Sequence, residues 1–193
     1  NLGFTGDELT IRLRSKDFGT PDDHLERNGA DVILAFFGYN ESFAGEPGIE
    51  AFAEQWNPHI EHWKSQKYNG RTAPRIVMFS PIAHEDLGDP NLPDGRENNA
   101  RLAAYSEAMK TVATDHDVPF VDLFGRSLAL YDSADSALTI NGIHLSSDGN
   151  RRIAEVLATA DVVVAPSLAQ ENSPLSVLEA LASGAPVVAA DVG

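Results

Sequence analysis

The sequence predicts an α/β fold, a three-layer, doubly wound parallel sheet. Three observations predict it. Three runs are apolar throughout rather than alternating, as suits parallel strands covered on both faces. Stretches with helical spacing separate those runs, which implies right-handed crossovers between parallel strands. Polar residues cluster directly after the runs, where open parallel sheets bind their ligands.

The opening Asn1-Leu2-Gly3-Phe4-Thr5-Gly6-Asp7 reads as the last residues of a strand and a strand-to-helix turn. The first full strand is Asp31 to Phe37. Phe52, Trp56, Ile60 and Trp63 then recur at spacings of four, four and three, which places them on one helix face. Pro58 interrupts that stretch and predicts a kink or a late start. Arg75 to Phe79 is the second strand, and Leu102, Tyr105, Met109 and Val112 form a second helical stripe after the polar loop Asp89 to Asn99. Pro119 to Phe124 is the third strand. A further helix starts at Ser146 or Ser147, either of which can cap it, and runs through Ile153, Val156 and Leu157.

Beyond about Ala158 the pattern is a separate strand-helix-strand unit. Asp161 to Ala165 and Pro186 to Ala190 are its strands. Ser173 caps its helix with Pro174 in the first turn, and Gly184 ends it, as helix-end chemistry favours. The domains expected are therefore 1–158 and 159–193, the first incomplete at its N-terminal side and the second a βαβ fragment. Both ends read as cut from a longer frame: the chain opens on Asn1 without a basic-then-apolar signal segment and stops straight after an apolar run.

Composition narrows the function. Of 193 residues 42% are hydrophobic, and 29 acidic against 14 basic side chains give a net charge of -15. Such a surface repels nucleic-acid phosphates and anionic lipid headgroups, so neither nucleic acid nor membrane is expected as a partner. There are no cysteines, which excludes disulfides, thiolate metal sites and cysteine nucleophiles. His59 and His62 stand three apart but lack a third ligand nearby, so surface histidines are expected rather than a metal site. Trp56 and Trp63 are expected in a core or interface.

The chemistry-bearing residues follow the strands. Gly38-Tyr39-Asn40-Glu41 follows the first, Ser80-Pro81-Ile82-Ala83-His84-Glu85 the second, and Asn141-Gly142-Ile143-His144 precedes the last helix of the main domain. Acyl transfer needs a nucleophile, a base, and donors aimed at the developing oxyanion. A glycine N–H and an asparagine amide are suitable donors, and an exposed imidazole is the usual base. His84-Glu85 reads either as cleft lining or as a locally hydrogen-bonded turn.

In this order and at these spacings the blocks resemble those of the SGNH (GDSL-like) hydrolases over residues 1 to about 157, with a flavodoxin-like sheet. The resemblance assigns Gly6 and Asn40 to the oxyanion hole and His144 to the base. It implies a small-molecule or carbohydrate ester as substrate and no cofactor. Two departures matter. The first block, a strand followed by Gly-Asp-Ser, has no match, so the nucleophile is absent and the chain is expected to be inactive or nearly so. Where the family has Asp three residues before the histidine, this chain has Asn141, which can orient the imidazole but not offset an imidazolium charge.

The tail resembles the nucleotide-sugar half of retaining GT-B glycosyltransferases of family 4. Glu171 and Glu179 match that family's glutamate pair, and the N–H groups near Ser173 would face the donor phosphates. Nucleotide-sugar-dependent glycosyl transfer and a non-catalytic carbohydrate-binding module are therefore the alternative readings. A further expectation concerns Ser167, which would substitute for the serine if the tail's first strand filled a vacant central place in the sheet.

Overall fold

The computed structural model describes residues 2–3, 5–12, 14, 17–158, 163–165 and 187–189. They fall into two compact units, Asn1–His84 with Gly95–Gly125, and Glu85–Asp94 with Arg126–Gly193.

The first unit is α/β with a parallel sheet, in agreement with the fold class read from the sequence. Helix α1 (Pro21–Arg27) leads into strand β1 (Val32–Phe36), helix α2 (Ile49–Ser65), strand β2 (Arg75–Phe79), helix α3 (Arg96–Asp115) and strand β3 (Phe120–Val121). The strands lie in the order β1-β2-β3. Their pairing is parallel, with Phe36 beside Phe79 and Met78 beside Phe120. β2 is paired on both sides and buried from Ile76 to Phe79, whereas β1 alternates, with Ile33 and Ala35 inward and Phe36 exposed. The expectation of two fully covered faces thus holds for the middle strand only. Trp56, Ile60, Tyr105, Met78 and Met109 form the centre of the core, with Trp63 at its margin.

α2 presents the face predicted for it, with Phe52, Trp56, Ile60 and Trp63 all buried. It neither starts late nor breaks at Pro58, because it begins at Ile49 and continues to Ser65. Pro58 is exposed, so the helix turn that lacks its N–H donor lies on the solvent side, while four large buried side chains hold the core face. The 20 residues of α3 bury Leu102, Tyr105, Met109 and Val112 as predicted.

Three local expectations are corrected. Among the described residues before Pro21 there is neither strand nor helix; Thr5 and Gly6 form a turn with Gly6 at φ +82°. The first helix waits for Thr20, whose hydroxyl accepts the Asp23 N–H at 3.1 Å while the Asp23 carboxylate accepts the Thr20 N–H at 2.7 Å. That reciprocal cap, with Pro21 following, nucleates a helix in a polar stretch. The third correction concerns the strand expected from Pro119 to Phe124. It is only two residues long, because Leu123 already opens helix α4 (Leu123–Ser133). Ser80 Oγ accepts the N–H groups of Leu123 and Phe124, both at 2.9 Å, and Asp122 Oδ1 accepts that of Gly125 at 2.9 Å. These caps satisfy the first turn of α4 and end the strand.

In the second unit, Ser146 Oγ accepts the Gly149 N–H at 3.1 Å and so caps helix α5 (Ser147–Ala158). Before it the chain forms a tight loop closed by an antiparallel bridge between Thr139 and Leu145. Gly149 allows this closure: a Cβ there would lie 2.0 Å from the Leu138 carbonyl oxygen. Strands β4 (Val163–Ala165) and β5 (Val187–Ala189) pair in parallel, Val163 beside Val187. The helix expected between them lies outside the described residues.

Candidate active site

In the first unit the two segments assigned to the oxyanion hole meet. Asn40 Nδ2 donates to the Asp7 carbonyl oxygen at 2.7 Å, one residue from Gly6. An amide nitrogen carries two hydrogens, so this bond fixes the Asn40 side chain and leaves a second N–H for another acceptor. Asp7 is itself anchored, its carboxylate accepting from Arg14 Nη1 at 2.7 Å and Nη2 at 2.6 Å.

A buried glutamate ties the same two segments together. Glu41, only 8% exposed, accepts the Leu9 N–H at 2.8 Å with one carboxylate oxygen and the Gly38 N–H at 2.9 Å with the other. Burial pushes its carboxyl above the usual carboxylate range, outweighing the backbone donors that pull it down. Gly38, at φ +103°, sits where a Cβ would lie 3.0 Å from Met109 Sδ, so the turn after β1 needs glycine.

The second unit carries the candidate base. The exposed His144 ring places Nδ1 3.0 Å from Asn141 Oδ1. That same oxygen accepts the His144 backbone N–H at 3.0 Å. A carbonyl oxygen can only accept, so Nδ1 carries the proton and Nε2 keeps its lone pair.

The loop bearing this pair is braced by Glu85, 6% exposed. Its carboxylate accepts the Leu138 N–H at 2.9 Å, the Thr139 N–H at 2.7 Å and the Thr139 hydroxyl at 2.6 Å. The Thr139 hydroxyl oxygen in turn accepts the Gly142 N–H at 3.0 Å, and the Glu85 N–H donates to the Gly142 carbonyl at 2.9 Å. Burial first, and then the Glu85 carboxylate, push the Tyr131 hydroxyl up to about 12.

His84 and Glu85, read together from the sequence, part in role. His84 is buried, with Asn98 Nδ2 3.2 Å from its Nδ1, while Glu85 is the brace just described. The roles of Glu41, Glu85 and His84 escape sequence reading because each depends on a partner distant in the chain, Leu9 for Glu41, Leu138 and Thr139 for Glu85, and Asn98 for His84. The only signal was position, each falling within a polar block after a strand.

The remaining candidates disperse. His59 Nδ1 donates to the Gln55 carbonyl at 2.8 Å, and His62 Nε2 lies 2.8 Å from Asp22, so the two rings have separate partners. Among the described residues no group of three or more side chains is placed to hold a metal. Nor is any helix among them long and apolar enough to cross a membrane. Ser167, Glu171, Ser173 and Glu179 lie outside the described residues.

Comparison with known proteins gives the family. The sequence profile of the GDSL-like lipase/acylhydrolase family matches residues 1–152. No curated protein matches the chain. Among solved structures, the chain is similar to the native aryl esterase of M. smegmatis at 16% identity and a TM-score of 0.53, covering 79% of this chain and 72% of that one. It is also similar to BT4096, a gut microbial diltiazem-metabolizing enzyme, at 15% identity and a TM-score of 0.51 over 69% of this chain. There the match spans 36% of the other protein's length. At these identities the likeness is one of fold. The profile match, covering most of the chain and running through all three polar blocks, identifies it as a member of the GDSL-like lipase/acylhydrolase family.

Proposed function

We propose that these residues supply the oxyanion donors and the base of an ester hydrolase acting on small or carbohydrate esters. Attack on the ester carbonyl creates a tetrahedral oxyanion, which the Gly6 N–H and the second Asn40 amide hydrogen would stabilise. His144 Nε2 takes the nucleophile's proton and returns it to the departing alcohol. Asn141 holds the tautomer that this step requires, though without a carboxylate's charge. The observation that carries the reading is the His144 ring, exposed and bonded through Nδ1 to Asn141 at 3.0 Å.

No Gly-Asp-Ser sequence occurs in the 193 residues, and loss of a nucleophile removes on the order of 10⁶ in rate from such a triad. Oxyanion stabilisation and binding alone leave about 10³–10⁴-fold over water. The purified chain is therefore expected to turn over p-nitrophenyl acetate slowly but measurably, to resist labelling by a fluorophosphonate, and to keep that residual rate in His144→Ala. A rate equal to that of buffer, or enzyme-like turnover that vanishes in His144→Ala, contradicts the reading.

A further inference from the structure

We propose that Asn141 is a self-modifying site, where the surrounding loop converts the side-chain amide into a carboxylate beside His144 and releases ammonia. An asparagine followed by glycine can close a ring, the glycine nitrogen attacking the side-chain carbonyl carbon, because glycine places no Cβ in the way. The sequence has three such pairs, Asn28-Gly29, Asn69-Gly70 and Asn141-Gly142. What separates them is the partner of each glycine N–H.

The attacking nitrogen must lose its proton. The Gly142 N–H donates to Thr139 Oγ1 at 3.0 Å, and that hydroxyl donates to Glu85 Oε2 at 2.6 Å. A hydroxyl can take one proton while giving up its own, so Glu85 is placed as a general base acting through Thr139. Both side chains are buried. The other two pairs have no such route. The Gly29 N–H is held by the Glu26 carbonyl at 3.0 Å and the Gly70 N–H by the Lys67 carbonyl at 2.8 Å, and a carbonyl oxygen has no proton to pass on. The electrophile at Asn141 is prepared as well. Negative charge develops on Oδ1 as the ring closes, and this oxygen already accepts the His144 N–H at 3.0 Å, the Ile143 N–H at 3.4 Å and the His144 Nδ1–H at 3.0 Å. Fixed donors aimed at a developing oxyanion lower the barrier. Asn69 Oδ1 also accepts two N–H groups, those of Arg71 and Thr72, both at 2.8 Å, so the base is what distinguishes Asn141.

The atoms balance. Gly142 N bonds to Asn141 Cγ, the Cγ–Nδ2 bond breaks with its electron pair on nitrogen, and ammonia leaves with a solvent proton replacing the one passed to Glu85. Water, which reaches the half-buried Asn141 beside the exposed His144, then opens the cyclic imide. Opening at Cγ leaves the backbone as it was and a carboxylate where the amide stood. An amide orients the imidazole, whereas a carboxylate also offsets an imidazolium charge. Only this use of the new charge rests on the hydrolase reading.

The test is peptide mapping by mass spectrometry of the full chain incubated near neutral pH, both native and in urea, following deamidation at the three pairs. In the native chain Asn141 is expected to convert about 10²-fold faster than Asn28 and Asn69, the low end for a positioned base. In urea the three rates should converge. An Asn141 that converts no faster than Asn69 in the native chain overturns the proposal. So does a lead that survives in urea, since it would belong to the flanking residues and not to the folded loop. Thr139→Ser, which keeps the hydroxyl, should preserve the lead, and Thr139→Val should abolish it; should the valine variant not fold, the native and urea comparison decides alone. The corresponding peptide of Asn141→Asp is the reference for the product, and opening only at the main-chain carbonyl, which lengthens the backbone, overturns the placement of the carboxylate beside His144. No readout here uses an ester, so failure of this proposal and failure of the hydrolase reading are told apart.

Discussion

Replacing Glu85 with alanine should loosen the loop that carries His144. The carboxylate is met by three buried donors, at 2.9, 2.7 and 2.6 Å, and it is 6% exposed. Hydrogen bonds to a charged acceptor contribute about 1.5–3 kcal/mol each, and an unmet buried donor costs about 1–3 kcal/mol. The three share one acceptor and do not add fully; the expected loss is about 3–5 kcal/mol. That is a large fraction of the ~5–15 kcal/mol by which a typical domain is stable. Glu85→Gln should lose roughly half as much, since one oxygen still accepts while the new amide confronts the remaining donors. Urea unfolding gives the global loss, and hydrogen exchange at the Leu138 and Thr139 amides gives the local one. A loss below about 1 kcal/mol in Glu85→Ala, with both amides still protected, refutes the claim that this carboxylate braces the loop.

Glu41 predicts a pH dependence of opposite sign to that of an ion-paired carboxylate. Burial raises its folded pKa above the ordinary value of 4.5, so the native state binds its proton more tightly than the unfolded chain. Its contribution is therefore greatest below pH 4.5 and falls as pH rises through the folded pKa; unfolding midpoints of wild type and Glu41→Gln should diverge over that interval, with the wild type losing ground, and parallel curves would disprove it. Gly149→Ala should destabilise the second unit by about 2 kcal/mol or more, because its Cβ meets the Leu138 carbonyl oxygen at 2.0 Å; an unchanged midpoint in urea would show that the loop opens freely. Trp63→Ala should cost about 3–5 kcal/mol, because Trp63 belongs to the core face of α2 and stands edge-on to Trp56 at 6.5 Å; calorimetry checks it.

The sequence made legible those elements whose apolar pattern is self-sufficient. β2 falls on Arg75–Phe79 as read, and the stripes on α2 and α3 are buried residue for residue. What it hid depends on side chains bonding to distant backbone. Leu123 and Phe124, the first two residues of α4, look like the continuation of a strand, and the Ser80 hydroxyl, 43 residues before Leu123, makes them a helix start by accepting both N–H groups. α1 is hidden in the sequence although Thr20-Pro21-Asp22-Asp23 carries a capping signature, since a seven-residue helix burying nothing has no apolar stripe to reveal it. The polar blocks were visible at the site, but their bracing was not. Glu41 reaches residue 9 and Glu85 reaches residues 138 and 139, pairings that no local spacing encodes.

Ester chemistry at this site depends most directly on Asn40, whose amide is fixed by the Asp7 carbonyl and keeps one hydrogen to give. Its measurement is the residual hydrolysis of p-nitrophenyl acetate by Asn40→Ala, corrected for the folded fraction by circular dichroism. Loss of an oxyanion donor predicts a fall of about 10²–10³ in the catalysed rate. A folded Asn40→Ala chain that hydrolyses the ester as fast as the wild type would contradict the assignment of these residues to ester chemistry.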